Sequence, residues 1–308
     1  MKKAIVTGGS GFAGFSLVSE LLKEGYRVVC PVRPGSPHNQ RLEDLKKTAE
    51  NGGDLYTLPL DVQKLSGLKE ALKTSGIDMS GCLFFHLAWS GERDNEEQQM
   101  ANITPALDAV RSASGIGASR IIFTGSQAEY GLKSGGTLLP DGSFKPVTED
   151  ALPEPLNSYG AAKTAALYLT RDLSRHLSLP WIWLRIFSIY GDYEHPHTML
   201  SYLRRSLENK ETPVLSACTQ YWDYLYTKDA ARAMILAGEK GKEGEIYNLA
   251  NGNYRPLKEF TEIIRMNTAP DIEISYSPED SKAPALSLRP DVSKLKRDTG
   301  WEPEKEFS

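Results

Sequence analysis

In the first part of the chain, short apolar runs alternate with stretches whose apolar residues recur every three to four positions. The runs at 4–6, 27–32, 55–58, 82–86 and 120–124 are apolar on both faces and predict buried strands. The intervening stretches at 12–23, 42–49, 65–73 and 98–112 have helical periodicity. Strict alternation of two-faced apolar strands with helices predicts a Rossmann-type, doubly wound parallel α/β sheet. Residues 131–156 are rich in Gly, Pro and Asp and read as a loop, and a loop of that length in a compact domain is often functional. A helix beginning near 158 and a buried strand at 180–186 follow. Beyond about 191 the alternation weakens. Short strands at 214–215, 224–226, 246–248 and 273–275 mix there with helices at 198–207, 227–237, 257–266 and 292–298. The expected organisation is a dinucleotide-binding domain over 1–190 and a smaller mixed α/β substrate-binding unit over 191–308. The second unit packs on the carboxyl edge of the sheet, and the chain is free to cross between the two.

Bulk properties narrow the classes of function. The chain has 308 residues and a net charge of −4. That mild balance gives no basic footprint for nucleic acid and no polybasic patch for a membrane. No window reaches the ~18 apolar residues of a membrane span. The run AIV after Met1-Lys2-Lys3 is too short for a signal peptide. Cys30, Cys82 and Cys218 are the three cysteines. They have no metal-ligand spacing, so no metal site is expected, and so sparse a set suits a reduced, cytoplasmic protein. His195 and His197 form an HPH stretch without further ligands, and they read as surface histidines.

The turn TGGSGFAG (7–14) lies between the first strand and the first helix. Glycines there let the backbone turn tightly and admit a pyrophosphate to main-chain N–H groups, and the helix N-terminus adds positive potential. The strand–turn–helix context is the one a dinucleotide requires. At the end of the second strand, where NAD-binding sites carry an acid for the ribose hydroxyls, the chain has Val32 and then Arg33. Arginine pairs with a 2′-phosphate and a carboxylate repels it, which favours NADP(H). Ser36, Asn39 and Arg41 follow at the same corner. The alternative is that Arg33 stacks on adenine and NAD(H) binds. Asp61, after the third strand, suits either a contact to the adenine amino group or a helix N-cap. In NSYGAAK (157–163), Tyr159 and Lys163 are four apart and share a helix face. An ammonium near a phenol favours the phenolate and lowers the tyrosine pKa toward a usable range.

With TGGSGFAG, LDV (60–62), HLAW (86–89), TGSQAEYG (124–131) and YGAAK (159–163), the chain resembles the extended short-chain dehydrogenase/reductase family, the NAD-dependent epimerase/dehydratase group that modifies nucleotide sugars. RIFSIYG (185–191), WDYLY (222–226), YNLANG (247–252), RPD (289–291) and GWEP (300–303) extend the resemblance over essentially the whole chain. It implies that Ser126, Tyr159 and Lys163 are catalytic. Tyr159 would move a proton to or from a sugar oxygen, Ser126 would orient that oxygen, and Lys163 would hold the nicotinamide ribose. It implies that the cofactor meets Gly8, Gly11, Phe12, Ala13, Gly14, Arg33, Asp61, Val62, Ala88, Tyr159 and Lys163. It also implies that a nucleotide-sugar substrate meets Ser126, Ser188 and Arg289.

Departures from the family pattern narrow the reaction. The 4,6-dehydratases carry acids just after the catalytic Ser/Thr, where this chain has Gln127 and Ala128, and Glu129 falls one position too late. Trp222 stands where many members have a diphosphate-gripping arginine, and Ser188 stands where many have asparagine. Arg289 matches the family's other diphosphate-binding arginine and is expected to carry that contact alone; the alternative is a surface arginine before a helix. Trp89 and Trp222 suit either an apolar wall of the site or the core. The expectation is NADPH-dependent reduction of a nucleotide-linked 4-keto-6-deoxyhexose at C4. The alternative is an NAD-retaining C4 epimerase, followed by a 4,6-dehydratase and a non-enzymatic nucleotide sensor. A homodimer is a further expectation of the resemblance.

Overall fold

The computed structural model describes residues 1–48, 54–278 and 286–308. Seven parallel strands form the central sheet: β1 (Lys3–Thr7), β2 (Arg27–Val32), β3 (Leu55–Pro59), β4 (Leu83–His86), β5 (Arg120–Ser126), β6 (Trp181–Ile186) and β7 (Ile246–Leu249). Their order is β7-β6-β5-β4-β1-β2-β3. The direction of winding reverses between β1 and β4, which opens a crevice at their carboxyl ends. Register is fixed by two-sided burial, with Ile5 opposite Val29 and Phe84. Alternate residues divide between two cores. Ala4, Val6, Val28, Cys30 and Phe85 pack on one face, and Ile5, Val29, Phe84, Ile121 and Phe123 on the other. β3 departs from the expected two-sided burial. It is an edge strand with Tyr56 partly exposed, and Pro59, which has no N–H to pair, is tolerated at such an edge.

Helices α1 (Phe12–Lys23) and α2 (Asn39–Thr48) follow β1 and β2. The end of the helix predicted at 42–49 falls on Ala49, outside the described residues. The helix predicted at 65–73 is a 3₁₀ turn, Val62–Gly67, followed by α3 (Leu68–Thr74). Lys64 has left helical geometry there, and the Ser112 hydroxyl takes up the Leu65 carbonyl at 2.7 Å. The helix predicted at 98–112 is two helices, α4 (Glu96–Met100) and α5 (Ile103–Gly115). Pro105 has no N–H to continue a helix through Ala101. Asn102 instead donates to the Ser90 carbonyl at 2.9 Å and accepts the Ser90 N–H at 3.0 Å. The predicted loop 131–156 contains a further 3₁₀ turn, Gly131–Gly135, and a small hairpin pairing Thr137–Leu138 with Phe144–Lys145.

Helix α6 (Ser158–His176) is capped by Asn157, whose side chain accepts the Gly160 N–H at 2.9 Å. Past residue 190 the chain takes two roles. Helix α8 (Thr227–Lys240), β7 and helix α10 (Ser293–Thr299) return to the sheet, where Met234, Leu249, Leu295 and Trp301 join the core beside α1. Helices α7 (Met199–Glu208) and α9 (Leu257–Thr268) instead pack around Tyr190, Tyr224 and Phe307 as a smaller cluster. Short parallel pairs join Ser188–Tyr190 to Tyr224–Tyr226 and Val214–Leu215 to Ser275–Tyr276. The latter strand lies slightly beyond the predicted 273–275. Among the described residues no helix is long and apolar enough to cross a membrane.

Candidate active site

The glycine turn is built by contacts that admit no side chain. A Cβ on Gly14 would lie 2.0 Å from the Gly8 carbonyl oxygen, and one on Gly8, at φ +72°, would lie 2.9 Å from the Ala88 nitrogen. The turn therefore brings the N-terminus of α1 against the loop after β4. Gly11 is the N-cap of α1 and contributes no side-chain cap. The first-turn N–H groups are thus left for an external acceptor. A cleft of about 460 Å³ opens here. Gly8, Gly11, Phe12, Ala13 and Gly14 line it from the turn, and Arg33, Asp61, Val62 and Ala88 line it from the ends of β2, β3 and β4. These are the cofactor-contact residues expected from the sequence, apart from Tyr159 and Lys163. Asp61 also caps the turn at 62–67, accepting the Gln63 N–H at 3.0 Å. Arg33 is exposed, and its guanidinium has no ion-pair or hydrogen-bond partner among the described residues. Arg41, by contrast, donates to the Ser10 carbonyl and lies 4.3 Å from the Tyr193 ring.

Ser126, Tyr159 and Lys163 converge beside this cleft. Ser126 ends β5, and its hydroxyl accepts the Ala128 N–H at 3.1 Å and lies near enough to the Tyr159 phenol to favour its ionised form. Helix α6 reaches that turn because residue 160 is glycine; a Cβ there would lie 2.4 Å from the Ala128 carbonyl oxygen. Lys163 is buried, donates to the Thr124 carbonyl at 2.8 Å and lies 3.8 Å from the centre of a Trp89 ring. Trp89 is a wall of the cleft, fixed by its Nε1–H donating to Gln99 at 2.8 Å.

The electrostatics differ from the expectation in one respect. Burial raises the Tyr159 phenol above its ordinary value. The Ser126 hydroxyl and the Arg93 guanidinium oppose that rise, and Glu129 adds to it. Lys163 does not supply the expected lowering, because its amine points at Thr124 and Trp89. Burial pushes that amine down to about 7, against the pull of Glu129. Burial, with Lys163 adding to it, holds His86 down at about 3, so it stays neutral while its Nδ1 pairs with the Thr7 hydroxyl at 3.0 Å.

Glu129 is fully buried and turned away from the reacting groups. Its carboxylate accepts the Ser126 N–H at 2.8 Å, Trp183 Nε1–H at 2.9 Å and Arg185 Nε–H at 2.7 Å. The Ser-x-x-Glu spacing of SQAE is a capping box, a signal present in the sequence and missed there. The role of Gly160 was missed too, because its neighbour Ala128 is distant in sequence.

The other expected substrate residues lie farther along the carboxyl edge. Ser188 follows β6 and pairs with Tyr224. Arg289 is buried rather than superficial. It donates to the Gly135 carbonyl at 2.8 Å and stacks 3.8 Å from the Phe144 ring and 4.1 Å from the Tyr221 ring. It has no carboxylate partner among the described residues. Trp222 sits between two core clusters with an unpartnered Nε1–H. Asp223 beside it accepts the Asn251 and Gly252 N–H groups at 2.8 and 2.7 Å, and burial pushes its carboxyl up to about 6. His195 and His197 are exposed, and among the described residues no cluster of His, Cys, Asp or Glu is placed to hold a metal.

A glycine-lined crevice at the switch point of a doubly wound sheet, with Ser, Tyr and Lys at its rim, defines an enzyme of the extended short-chain dehydrogenase/reductase group. The chain belongs to the NAD dependent epimerase/dehydratase family, whose model matches residues 4–250. It is 26% identical over 330 residues to the UDP-glucose 4-epimerase of Corynebacterium glutamicum, covering 98% of this chain and 91% of that protein. It is also 26% identical over 333 residues to the dTDP-glucose 4,6-dehydratase of Neisseria meningitidis serogroup B, covering 100% and 90%. Its fold matches that of the UDP-N-acetylglucosamine 4-epimerase from Methanobrevibacter ruminantium M1, with a TM-score of 0.80, 22% identity and coverage of 99% and 94%.

Proposed function

We propose that the protein is an NADP(H)-dependent oxidoreductase acting at C4 of a nucleotide-linked sugar, reducing a 4-keto-6-deoxyhexose. The observation that carries the cofactor choice is the unpartnered Arg33 guanidinium at a corner where β2 offers no carboxylate. The cleft suits a dinucleotide, because Gly8 and Gly14 let the turn pack directly on Ala88 and on itself, which leaves the uncapped N-terminus of α1 at the cleft. The turn and the N-terminus of α1 would hold the pyrophosphate. Arg33 would hold the 2′-phosphate, Asp61 and Val62 the adenine, Ala88 the middle of the dinucleotide, and Tyr159 with Lys163 the nicotinamide ribose. When bound, the cofactor supplies the hydride.

The chain's own residues handle the proton. Ser126 donates a hydrogen bond to the carbonyl oxygen at C4 and fixes it against the phenol. Tyr159 delivers its proton to that oxygen as the carbon is reduced. Lys163, anchored to Thr124, orients the ribose. Arg289, a buried cation stacked between two rings, would bind the nucleotide diphosphate. Ser188 would contact the sugar. A dehydratase is disfavoured because Gln127 and Ala128 cannot act as acids, and Glu129 is already engaged by Ser126, Trp183 and Arg185.

A second reading, a C4 epimerase that retains NAD, is favoured by the end-to-end match to the C. glutamicum 4-epimerase. Purification separates the two. A reductase emerges without bound dinucleotide and binds NADPH more tightly than NADH. Protein that carries stoichiometric NAD overturns the reductase in favour of the epimerase.

A further inference from the structure

We infer that Trp89 is a positioning residue for the reaction: the face of its indole holds the Lys163 ammonium in place by a cation–π contact. The inference rests on Lys163 being the residue that meets the nicotinamide ribose. The Lys163 nitrogen lies 3.8 Å from the centre of a Trp89 ring and donates to the Thr124 carbonyl at 2.8 Å. Lys163 is only 3% exposed, and it makes no ion pair among the described residues.

A buried ammonium needs groups that favour its charge. Of the aromatic side chains, tryptophan attracts a cation most strongly, and more so away from water. The groups around Lys163 come from three elements. Tyr159 lies one turn earlier on α6, with its ring centre 5.9 Å from the nitrogen. Glu129, on the turn after β5, favours the charged form, but its carboxylate is taken by Ser126, Trp183 and Arg185. His86, at the end of β4, stays neutral. Trp89, on the loop after β4, is the side chain in direct contact that favours the ammonium. An ammonium has three N–H donors. One meets Thr124 and the indole covers another side, which leaves the remainder for ribose hydroxyls.

The indole is itself fixed. Its Nε1–H donates to Gln99 at 2.8 Å, and Gln99, buried on α4, donates to the Glu92 carbonyl at 2.9 Å. The Trp89 ring stands at 86° to the Tyr159 ring, with the centres 6.4 Å apart. One side chain therefore sets both the amine and the phenol of α6 against the wall of the cleft.

The test replaces Trp89 with tryptophans that carry one, two and three ring fluorines. Fluorine withdraws negative charge from the indole face while nearly keeping its shape and its N–H. The Lys163 amine is followed by the ¹³Cε resonance of labelled lysine, identified by its absence in Lys163→Met. Its titration midpoint is expected to fall stepwise along the series, making the ammonium roughly threefold to thirtyfold more acidic in all. A purely packing role leaves the midpoint unmoved, and a flat series overturns the inference. Affinity for NADPH, read by calorimetry, is expected to fall along the same series in the parent and to stay constant in Lys163→Met. A slope that persists in Lys163→Met means that the indole acts on the cofactor directly, and it also overturns the inference. Separately, a Lys163→Met protein that binds NADPH as tightly as the parent refutes the ribose role of Lys163 itself, whatever the midpoints show.

Discussion

The two ends of the active-site edge are built in different ways. The cofactor end is shaped by backbone against backbone: Gly14 on the Gly8 carbonyl and Gly8 on the Ala88 nitrogen. The substrate end is shaped by side chains, with Arg289 stacked between Phe144 and Tyr221 and tied to a single carbonyl. A surface made of main chain tolerates almost no substitution, and its residues are dictated by geometry. A surface made of side chains is free to exchange them, as Trp222 and Ser188 show against the family pattern. Under the proposed function, the first end binds what the whole family shares, and the second sets what each member accepts.

Four substitutions probe that contrast. Gly160→Ala extends the backbone rule to the catalytic helix. Its Cβ would meet the Ala128 carbonyl, so α6 must shift and carry Tyr159 away from Ser126. Misplacement of that size is expected to cost about 100-fold in kcat, with dinucleotide binding largely kept. Wild-type kcat would show that the helix has room and that the contrast fails there. Arg289→Met alters the side-chain end. A charge-assisted contact is worth about 1.5–3 kcal/mol, so KM for the nucleotide sugar is expected to rise roughly tenfold to a hundredfold. Stability should be unharmed, because a buried cation without a carboxylate partner is removed. An unchanged KM would remove Arg289 from the substrate site.

Arg33→Glu alters the rim of the cofactor end. It is expected to weaken NADPH at least about tenfold more than NADH, as read by fluorescence titration. Equal losses would mean that Arg33 does not meet a 2′-phosphate.

The last effect concerns Lys163. Burial lowers its amine from 10.5 to about 7. Between those values the unfolded chain holds a proton that the folded protein has lost, so this group's contribution to stability rises with pH across that window. The melting temperature of the wild type relative to Lys163→Met is therefore expected to increase from pH 7 toward pH 10. A flat difference would mean that the buried amine titrates normally.

Legibility in the sequence followed the same division. Alternating apolar strands and helices announced the doubly wound sheet, and the glycines announced the crevice, because both consequences are local. The break between α4 and α5 was missed although Pro105 marks it, because apolar periodicity runs through 98–112 without interruption. The Glu129 network was half visible as a Ser-x-x-Glu spacing, whereas its partners Trp183 and Arg185 lie on another strand. Lys163 was placed on the right helix face. Its side chain was expected beside the phenol, but it turns to Thr124, 39 positions away in sequence. The loop around Arg93 carries no motif at all, and its backbone contact to the Tyr159 N–H exists only once α6 is folded against it.

The central claim is that Ser126 and Tyr159 present a sugar carbonyl at C4 to a reduced nicotinamide bound at the glycine turn. Its most direct test is to incubate the enzyme with NADPH deuterated at the transferable position and a nucleotide-linked 4-keto-6-deoxyhexose, and then locate the label. The account predicts one deuterium at C4 of the sugar product and stoichiometric NADP⁺. A C4-inverted sugar formed without added cofactor and without label would contradict it.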